Sequence, residues 1–338
     1  MHEEVILITG ANGEIGHGLI HHLASKNKAV VAIDLNPLDE VLQPLVRHWR
    51  VGDVLDYSGL EQLFEEYHFS VVFHLASILS TKAEINPELA HKINVEGTLN
   101  LLRLSEIQSR RDCVPVKFIY PSSIAAYAMP TLENKLKAGR VREDQFTIPT
   151  TMYGINKLYC ENLGRYYSKH YKQLANNANP NELLDFRALR FPGLISAETV
   201  PTGGTSDYGP EMLHAAARGV SYDCFVRPDA QLPFMVMPDA VKSLIMLQEA
   251  PREKLTQSVY NVTSFSPTAQ ELYDLTLEAF PQADIRFIPD CSRQCIVDSW
   301  PADIDDGAAR KDWQWQPDYD LERSFEDLLV PAIRARYQ

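Results

Sequence analysis

The run Glu4-Val5-Ile6-Leu7-Ile8-Thr9, followed by glycines at 10, 13 and 16 and then by His17 to Ser25, constrains the fold of this 338-residue chain most. A short apolar run rich in β-branched residues suits a strand buried on both faces of a parallel sheet. Glycine lets the backbone turn sharply and approach a ligand with no Cβ in the way. A helix starting just beyond offers unpaired N–H groups and a positive dipole end, a combination that receives a pyrophosphate. The spacing is G-x-x-G-x-x-G rather than the older G-x-G-x-x-G dinucleotide fingerprint. Gly10, Asn12, Gly13, Glu14, Ile15 and Gly16 are therefore the expected phosphate-turn contacts.

The alternation begun there continues. Ala29–Ile33, Ser70–Leu75, Lys117–Tyr120 and Leu184–Leu189 read as strands, and Tyr57–Tyr67, Pro87–Glu106 and Met152–Leu174 as helices. Strands alternating with helices predict an α/β fold, a Rossmann-type doubly wound parallel sheet with helices on both faces. After Phe191 the pattern becomes irregular. Pro192-Gly193, Gly203-Gly204 and Asp207-Tyr208-Gly209 describe an ordered loop with tight turns. A helix at Gly209–Arg218, a strand at Phe234–Met237, a helix at Asp239–Ala250 and a short strand at Asp284–Ile288 follow. The expected division is a cofactor domain over 1–191, with a return around 234–262, and a smaller C-terminal α/β substrate domain over 192–338. The strand near Val259–Val262 is expected to rejoin the main sheet. The charged segment Leu132–Gln145 and the Asn-rich Asn176–Asn181 are expected on the surface.

Composition removes other classes. A net charge of -13 disfavours nucleic acid and anionic membranes as partners. No stretch is long and apolar enough to span a bilayer. The first strand starts near Val5, which leaves no room for a targeting peptide, so the cytoplasm is the expected location. Five scattered cysteines argue against a disulfide scaffold. Cys291 and Cys295 lack a second pair of soft ligands nearby, so ordinary thiols and no metal are expected.

Asp34 ends the second strand, where a carboxylate meets the adenosine ribose; it accepts from both hydroxyls and repels a 2′-phosphate. That favours NAD over NADP. Asp53, in Val51-Gly52-Asp53-Val54, is placed to accept from the adenine amino group. Asp is also a common turn former, so a solvated turn role stays open for both.

Tyr153-Gly154-Ile155-Asn156-Lys157 places a phenol and an ammonium four apart, on one face of a helix. A tyrosine ordinarily titrates near about 10, too high for a base at neutral pH, and a neighbouring cation lowers that value. Ser123 follows the strand Lys117–Tyr120, at the strand end that faces the ligand crevice of an open α/β sheet. It is placed to orient a substrate alcohol. Ser122 is expected to bond the local backbone.

The glycine turn, Asp34, Asp53, Ser123 and the Tyr153/Lys157 pair together resemble the extended short-chain dehydrogenase/reductase superfamily, the group containing UDP-galactose 4-epimerase. The resemblance spans essentially the whole chain. It implies Tyr153 as acid/base, Lys157 as activator and ribose anchor, and Ser123 as the orienting hydroxyl. It also implies cofactor contacts at Val54, Leu75, Ala76 and Asn94.

Later segments are more specific. Arg190–Ser196, Gly203–Tyr208, Leu232–Met235, Tyr260–Thr263, Asp298–Pro301 and Ile304–Trp313 resemble the epimerase-like L-threonine 3-dehydrogenases. That implies NAD-dependent oxidation of the threonine β-hydroxyl, with Ser80, Ser123, Tyr153, Gly204, Thr205 and Trp300 on the substrate side. Gly203-Gly204-Thr205 would offer backbone N–H groups and a hydroxyl to a carboxylate. Trp300 is either an apolar wall beside the substrate methyl or interface packing. Ser123 stands where those enzymes carry threonine, which keeps the hydroxyl. A homodimer through the helices carrying Asn94 and Lys157 is implied too, with Leu158 and Leu163 as apolar support. The alternative activity is a nucleotide-sugar 4-epimerase or dehydratase holding NAD tightly.

Overall fold

Seven strands form the main sheet of the computed structural model, which describes residues 4–174, 183–197, 199–201 and 203–337. We label β1 Val5–Thr9, β2 Ala29–Asp34, β3 His48–Val51, β4 Phe69–His74 and β5 Val116–Ser123. From one edge the order is Val259–Asn261, Leu184–Phe191, β5, β4, β1, β2, β3. β1 lies parallel to both β2 and β4, with Leu7 against Val31 on one side and Val72 on the other. The chain runs outward through β2 and β3, then returns to the opposite side of β1. The order therefore reverses between β1 and β4, and a crevice opens at their C-terminal ends. Leu7, Val31, Val72, Leu101, Phe118 and Phe186 belong to one buried cluster of this unit.

The expected helix at Pro87–Glu106 is present with a local change of winding. Pro87–His91 and Gly97–Asp112 are α-helical, and Lys92–Glu96 between them is a π turn. Such turns free a backbone carbonyl for other donors.

The chain divides into two compact units of nearly equal length, not a larger and a smaller one. The first comprises Met1–Ser122, Ile155–Leu189 and Leu244–Val259, and the second Ser123–Gly154, Arg190–Ser243 and Tyr260–Gln338. This differs from a boundary at 191–192. Residues 123–154 group with the second unit, and the returning segment is 244–259 rather than 234–262. Val259–Asn261 does rejoin the main sheet, as its edge strand.

The second unit holds three short parallel strand pairs: Gly193–Ile195 with Phe234–Val236, Tyr222–Cys224 with Ile285–Phe287, and Arg140–Val141 with Asp303–Ile304. Gly193–Ile195, read from sequence as loop, is thus a strand. Three residues are too few for periodicity to register.

The charged stretch Leu132–Gln145 lies mostly at the surface, as expected, with Lys135 and Val141 as the buried exceptions. It forms a helix, Leu132–Ala138, with Lys135 only 3% exposed, and Val141 beyond it is fully buried. The Lys135 ammonium donates to the Val297 carbonyl at 2.8 Å, which lets a charged side chain go inside. The Asn176–Asn181 segment lies outside the described residues.

Candidate active site

Gly10 takes φ +69°, and a Cβ there would stand 2.6 Å from the Ala76 nitrogen. Only glycine fits, because the turn is wedged against the Leu75-Ala76 segment that leaves β4. Gly16 is equally tight: a Cβ would lie 2.3 Å from the Ala11 carbonyl oxygen. Gly13 precedes the helix Glu14–Ser25, and no side chain caps that N-terminus. Glu14 and Ile15 form its first turn. This cradle fits a pyrophosphate.

Asp34, at the end of β2, has both carboxylate oxygens held by backbone N–H groups, one by Asn12 at 3.0 Å and the other by Asn36 at 3.2 Å. Asn12 braces the same loop through its side chain. It donates to the Pro37 carbonyl at 2.9 Å and accepts from the Asp39 N–H at 3.0 Å. The carboxylate is thus oriented in advance, as a ribose acceptor requires. Asp53 accepts from the Leu55 N–H at 2.9 Å, a turn bond, and Val54 packs under Gly97.

A buried hydrogen-bonded chain connects the glycine turn to Asn94, and the sequence reading missed it. The Ala76 N–H donates to the Thr9 hydroxyl at 3.4 Å; Thr9 Oγ1 lies 2.8 Å from His74 Nδ1, and His74 Nε2 lies 2.9 Å from Thr98 Oγ1. The Thr98 hydroxyl donates to the Asn94 carbonyl, so it accepts from His74. Nε2 of His74 therefore carries the proton, and Nδ1 accepts from Thr9. Burial, and then the Lys157 charge, push His74 down to about 3, so it stays neutral. Asn94 is 2% exposed and holds the loop after β4. Its Oδ1 accepts from the Ile78 N–H at 2.8 Å and from Ser77, and its amide donates to the Ile78 carbonyl.

Lys157 is buried on the helix Met152–Lys169. Its ammonium donates to the Pro121 carbonyl at 2.7 Å and lies 4.7 Å from the centre of the Tyr120 ring. Burial pulls it down to about 8, against the opposing pull of Cys160 and Glu161.

Ser122 does not bond the local backbone as expected. The Ser122 hydroxyl donates to Glu161 at 2.6 Å inside the first unit. Ser123 is the one that bonds local backbone, accepting from the Ala125 N–H at 3.1 Å, which leaves its own O–H to donate elsewhere. Tyr153 belongs to the same unit as Ser123 and is half-buried. Burial pushes its phenol above the ordinary tyrosine value. Local desolvation, rather than the expected lowering by a cation, dominates here.

On the substrate side, Ser80 begins the short helix Ser80–Ile85 and is 8% exposed. The Gly204 N–H does not point outward as expected. It donates to Asp207 Oδ2 at 2.6 Å, closing the turn on itself. Thr205 is 4% exposed, and Trp300, also 4% exposed, lies in the hydrophobic core of the second unit with Tyr127 and Met129. Among the described residues no group of three or more His, Cys, Asp or Glu side chains is arranged to hold a metal ion.

The model of the NAD dependent epimerase/dehydratase family matches residues 6–263, which include the glycine turn, Asp34, Ser123, Tyr153 and Lys157. The chain belongs to that family. Its cofactor is NAD, and the preset Asp34 carboxylate and the Gly10 cradle fit that group. Among its relatives is the mitochondrial L-threonine 3-dehydrogenase of Bos taurus, 32% identical over 97% of this chain and 82% of the bovine one. The structure of L-threonine dehydrogenase from Clostridium difficile is similar at TM-score 0.86 and 31% identity, covering 99% of both chains. A monomeric L-threonine 3-dehydrogenase from a metagenome is similar at TM-score 0.84 and 33% identity, covering 98% of this chain and 99% of that one.

Proposed function

We propose that this chain oxidises the β-hydroxyl of L-threonine to 2-amino-3-oxobutanoate, with hydride transfer to NAD. The observation that carries the reading is coverage. Relatives named for that activity match 97–99% of the chain, second unit included, and the family match over residues 6–263 takes in Ser123, Tyr153 and Lys157.

Bound NAD supplies the hydride acceptor for Cβ of the substrate. Gly10, Asn12, Gly13, Glu14, Ile15 and Gly16 would hold its phosphates and Asp34 its adenosine ribose, with Asp53, Val54, Leu75, Ala76 and Asn94 around it. Tyr153 takes the proton of the substrate hydroxyl, Ser123 orients that hydroxyl through its free O–H, and Lys157 anchors the nicotinamide ribose. Ser80, Thr205 and Gly204 flank the amino acid. Because burial holds the Tyr153 phenol high, the reactive phenolate is scarce at neutral pH and activity rises towards alkaline pH. The product is a β-keto acid that loses CO₂ to give aminoacetone.

Following NADH absorbance with L-threonine, L-serine and UDP-glucose added separately tests the reading. NADH formation with L-threonine is expected. Silence with L-threonine together with turnover of a nucleotide sugar would replace it with the epimerase activity.

No described helix is long and apolar enough to cross a membrane, and we place the protein in the cytoplasm. Its partners are small molecules, with neither nucleic acid nor membrane among them. We also propose a homodimer. Ile155, Tyr159 and Tyr166 are 46%, 53% and 40% exposed at helical spacing on Met152–Lys169, a better contact stripe than Leu158 and Leu163, which are both half-buried.

A further inference from the structure

We propose that Arg293 is a positioning residue that fixes the shape of the Gly203–Asp207 loop and thereby sets the affinity for the amino-acid substrate. The inference rests on the reading that this loop meets L-threonine. Every group it uses lies in the second unit.

The loop has little stiffness of its own. Gly203 takes φ +87°, and a Cβ there would meet nothing within 4 Å. A second glycine follows. Two adjacent glycines lose more backbone freedom on ordering than any other pair, so such a loop needs an external hold. The Gly204 peptide is held on both sides. Its N–H donates to Asp207 at 2.6 Å, while its carbonyl accepts from the Asp207 N–H at 3.2 Å and from Arg293 Nη2 at 2.9 Å. The first two bonds close the turn upon itself. The bond from Arg293 ties the Gly204 carbonyl to another element.

Arg293 is built for that task. It stands on the helix Cys291–Ser299, whose N-terminus Asp290 caps by accepting from the Arg293 N–H at 2.8 Å. Its guanidinium lies over the ring of Phe225, itself 5% exposed. A planar cation stacked on an aromatic face loses little further freedom when it donates. The far end of the same helix is fastened as well. The Val297 carbonyl accepts from Lys135, the Ser299 carbonyl from the Met129 N–H at 2.7 Å, and Asp298 from Arg227 at 2.9 and 3.1 Å. A helix fastened at both ends thus reaches a diglycine loop through one guanidinium, and Thr205 directly follows the held peptide.

The test is Arg293→Met, which keeps the stem over Phe225 and removes the donors, with Arg293→Lys as the conservative partner. In Arg293→Met, the KM for L-threonine is expected to rise roughly tenfold or more, the order of one charge-assisted hydrogen bond, with a smaller change in kcat. Arg293→Lys should recover part of the loss. NAD affinity, measured by calorimetry, should stay at the wild-type value. Hydrogen exchange in the substrate-free protein should quicken in the peptide spanning residues 203–207. An unchanged KM, or unchanged exchange in that peptide, overturns the proposal, and so does an equal loss of NAD affinity. If wild-type protein is inert towards L-threonine, the substrate reading fails. The exchange experiment then still reports whether Arg293 holds the loop.

Discussion

Ser122 and Ser123 stand side by side at the end of β5 and face different demands. Ser122 donates to the carboxyl of Glu161, fully buried on a neighbouring helix, and removing its hydroxyl takes a hydrogen bond from that buried group. Ser122→Ala should cost about 1–3 kcal/mol in chemical denaturation while leaving the remaining folded enzyme active. Ser123→Ala should do the reverse, lowering turnover with little change in the denaturation midpoint. Equal effects from the two would undo the assignment of roles. Tyr153→Phe removes the base alone and should cut kcat by about 10²–10⁴-fold with NAD affinity kept. A variant with near-normal turnover would remove Tyr153 from the chemistry. These residue types were legible in the sequence because their spacing is local. Which serine faces which neighbour was not, since the neighbour is Glu161, far along the chain.

At the level of elements, the glycine turn shows why a motif can be read from sequence while its necessity cannot. Three glycines between a strand and a helix announce a turn. That Gly10 is irreplaceable follows from Ala76, brought beside it by the pairing of β1 with β4. Gly10→Ala should lose at least about 1 kcal/mol of stability from its positive φ and should weaken NAD binding more than any change at exposed Asp53. Titration of NAD into both variants checks the order. The helix Leu132–Ala138 makes the converse point. Its charged sequence reads as surface, yet it buries Lys135, which burial draws down to about 8 from an ordinary 10.5. A lysine depressed in the folded state binds fewer protons there than when unfolded, so its burial costs stability below about pH 8. That cost is relieved as pH rises through 8 towards 10.5. Wild type should therefore gain stability over Lys135→Met across that window, seen as a converging or crossing pair of Tm curves. A constant offset would mean that the ammonium does not titrate there.

Across the whole molecule, the chain passes between its two units at 122–123, 154–155, 189–190, 243–244 and 259–260, and each crossing falls inside a strand or a helix, among them β5 and the helix carrying Tyr153 and Lys157. Three strands and two helices therefore each begin or end in a different unit from the rest of their length. Along the sequence, the expected division has a boundary after Phe191, where periodicity changes, and one return around 234–262; contacts, not periodicity, divide a fold. The exposed Ile155/Tyr159/Tyr166 stripe carries the assembly prediction. Sedimentation should give a dimer for the wild-type chain, and Tyr159→Glu should shift it towards monomer. A wild-type monomer, the state named for the metagenome relative, would refute the dimer.

The sequence by itself determined the alternating α/β order, the glycine turn between the first strand and helix, the acidic residue at the end of β2 and the Tyr153/Lys157 pair. Each depends on residues within one or two turns of a helix or one strand of each other, where spacing and geometry are tied. Only the tertiary structure decided that His74 stays neutral and in which tautomer, that Ser122 donates to Glu161, that Gly204 gives its N–H to Asp207, and that Arg293 reaches the Gly204 carbonyl. Those outcomes depend on burial and on donors and acceptors brought together from distant positions, which local spacing does not encode.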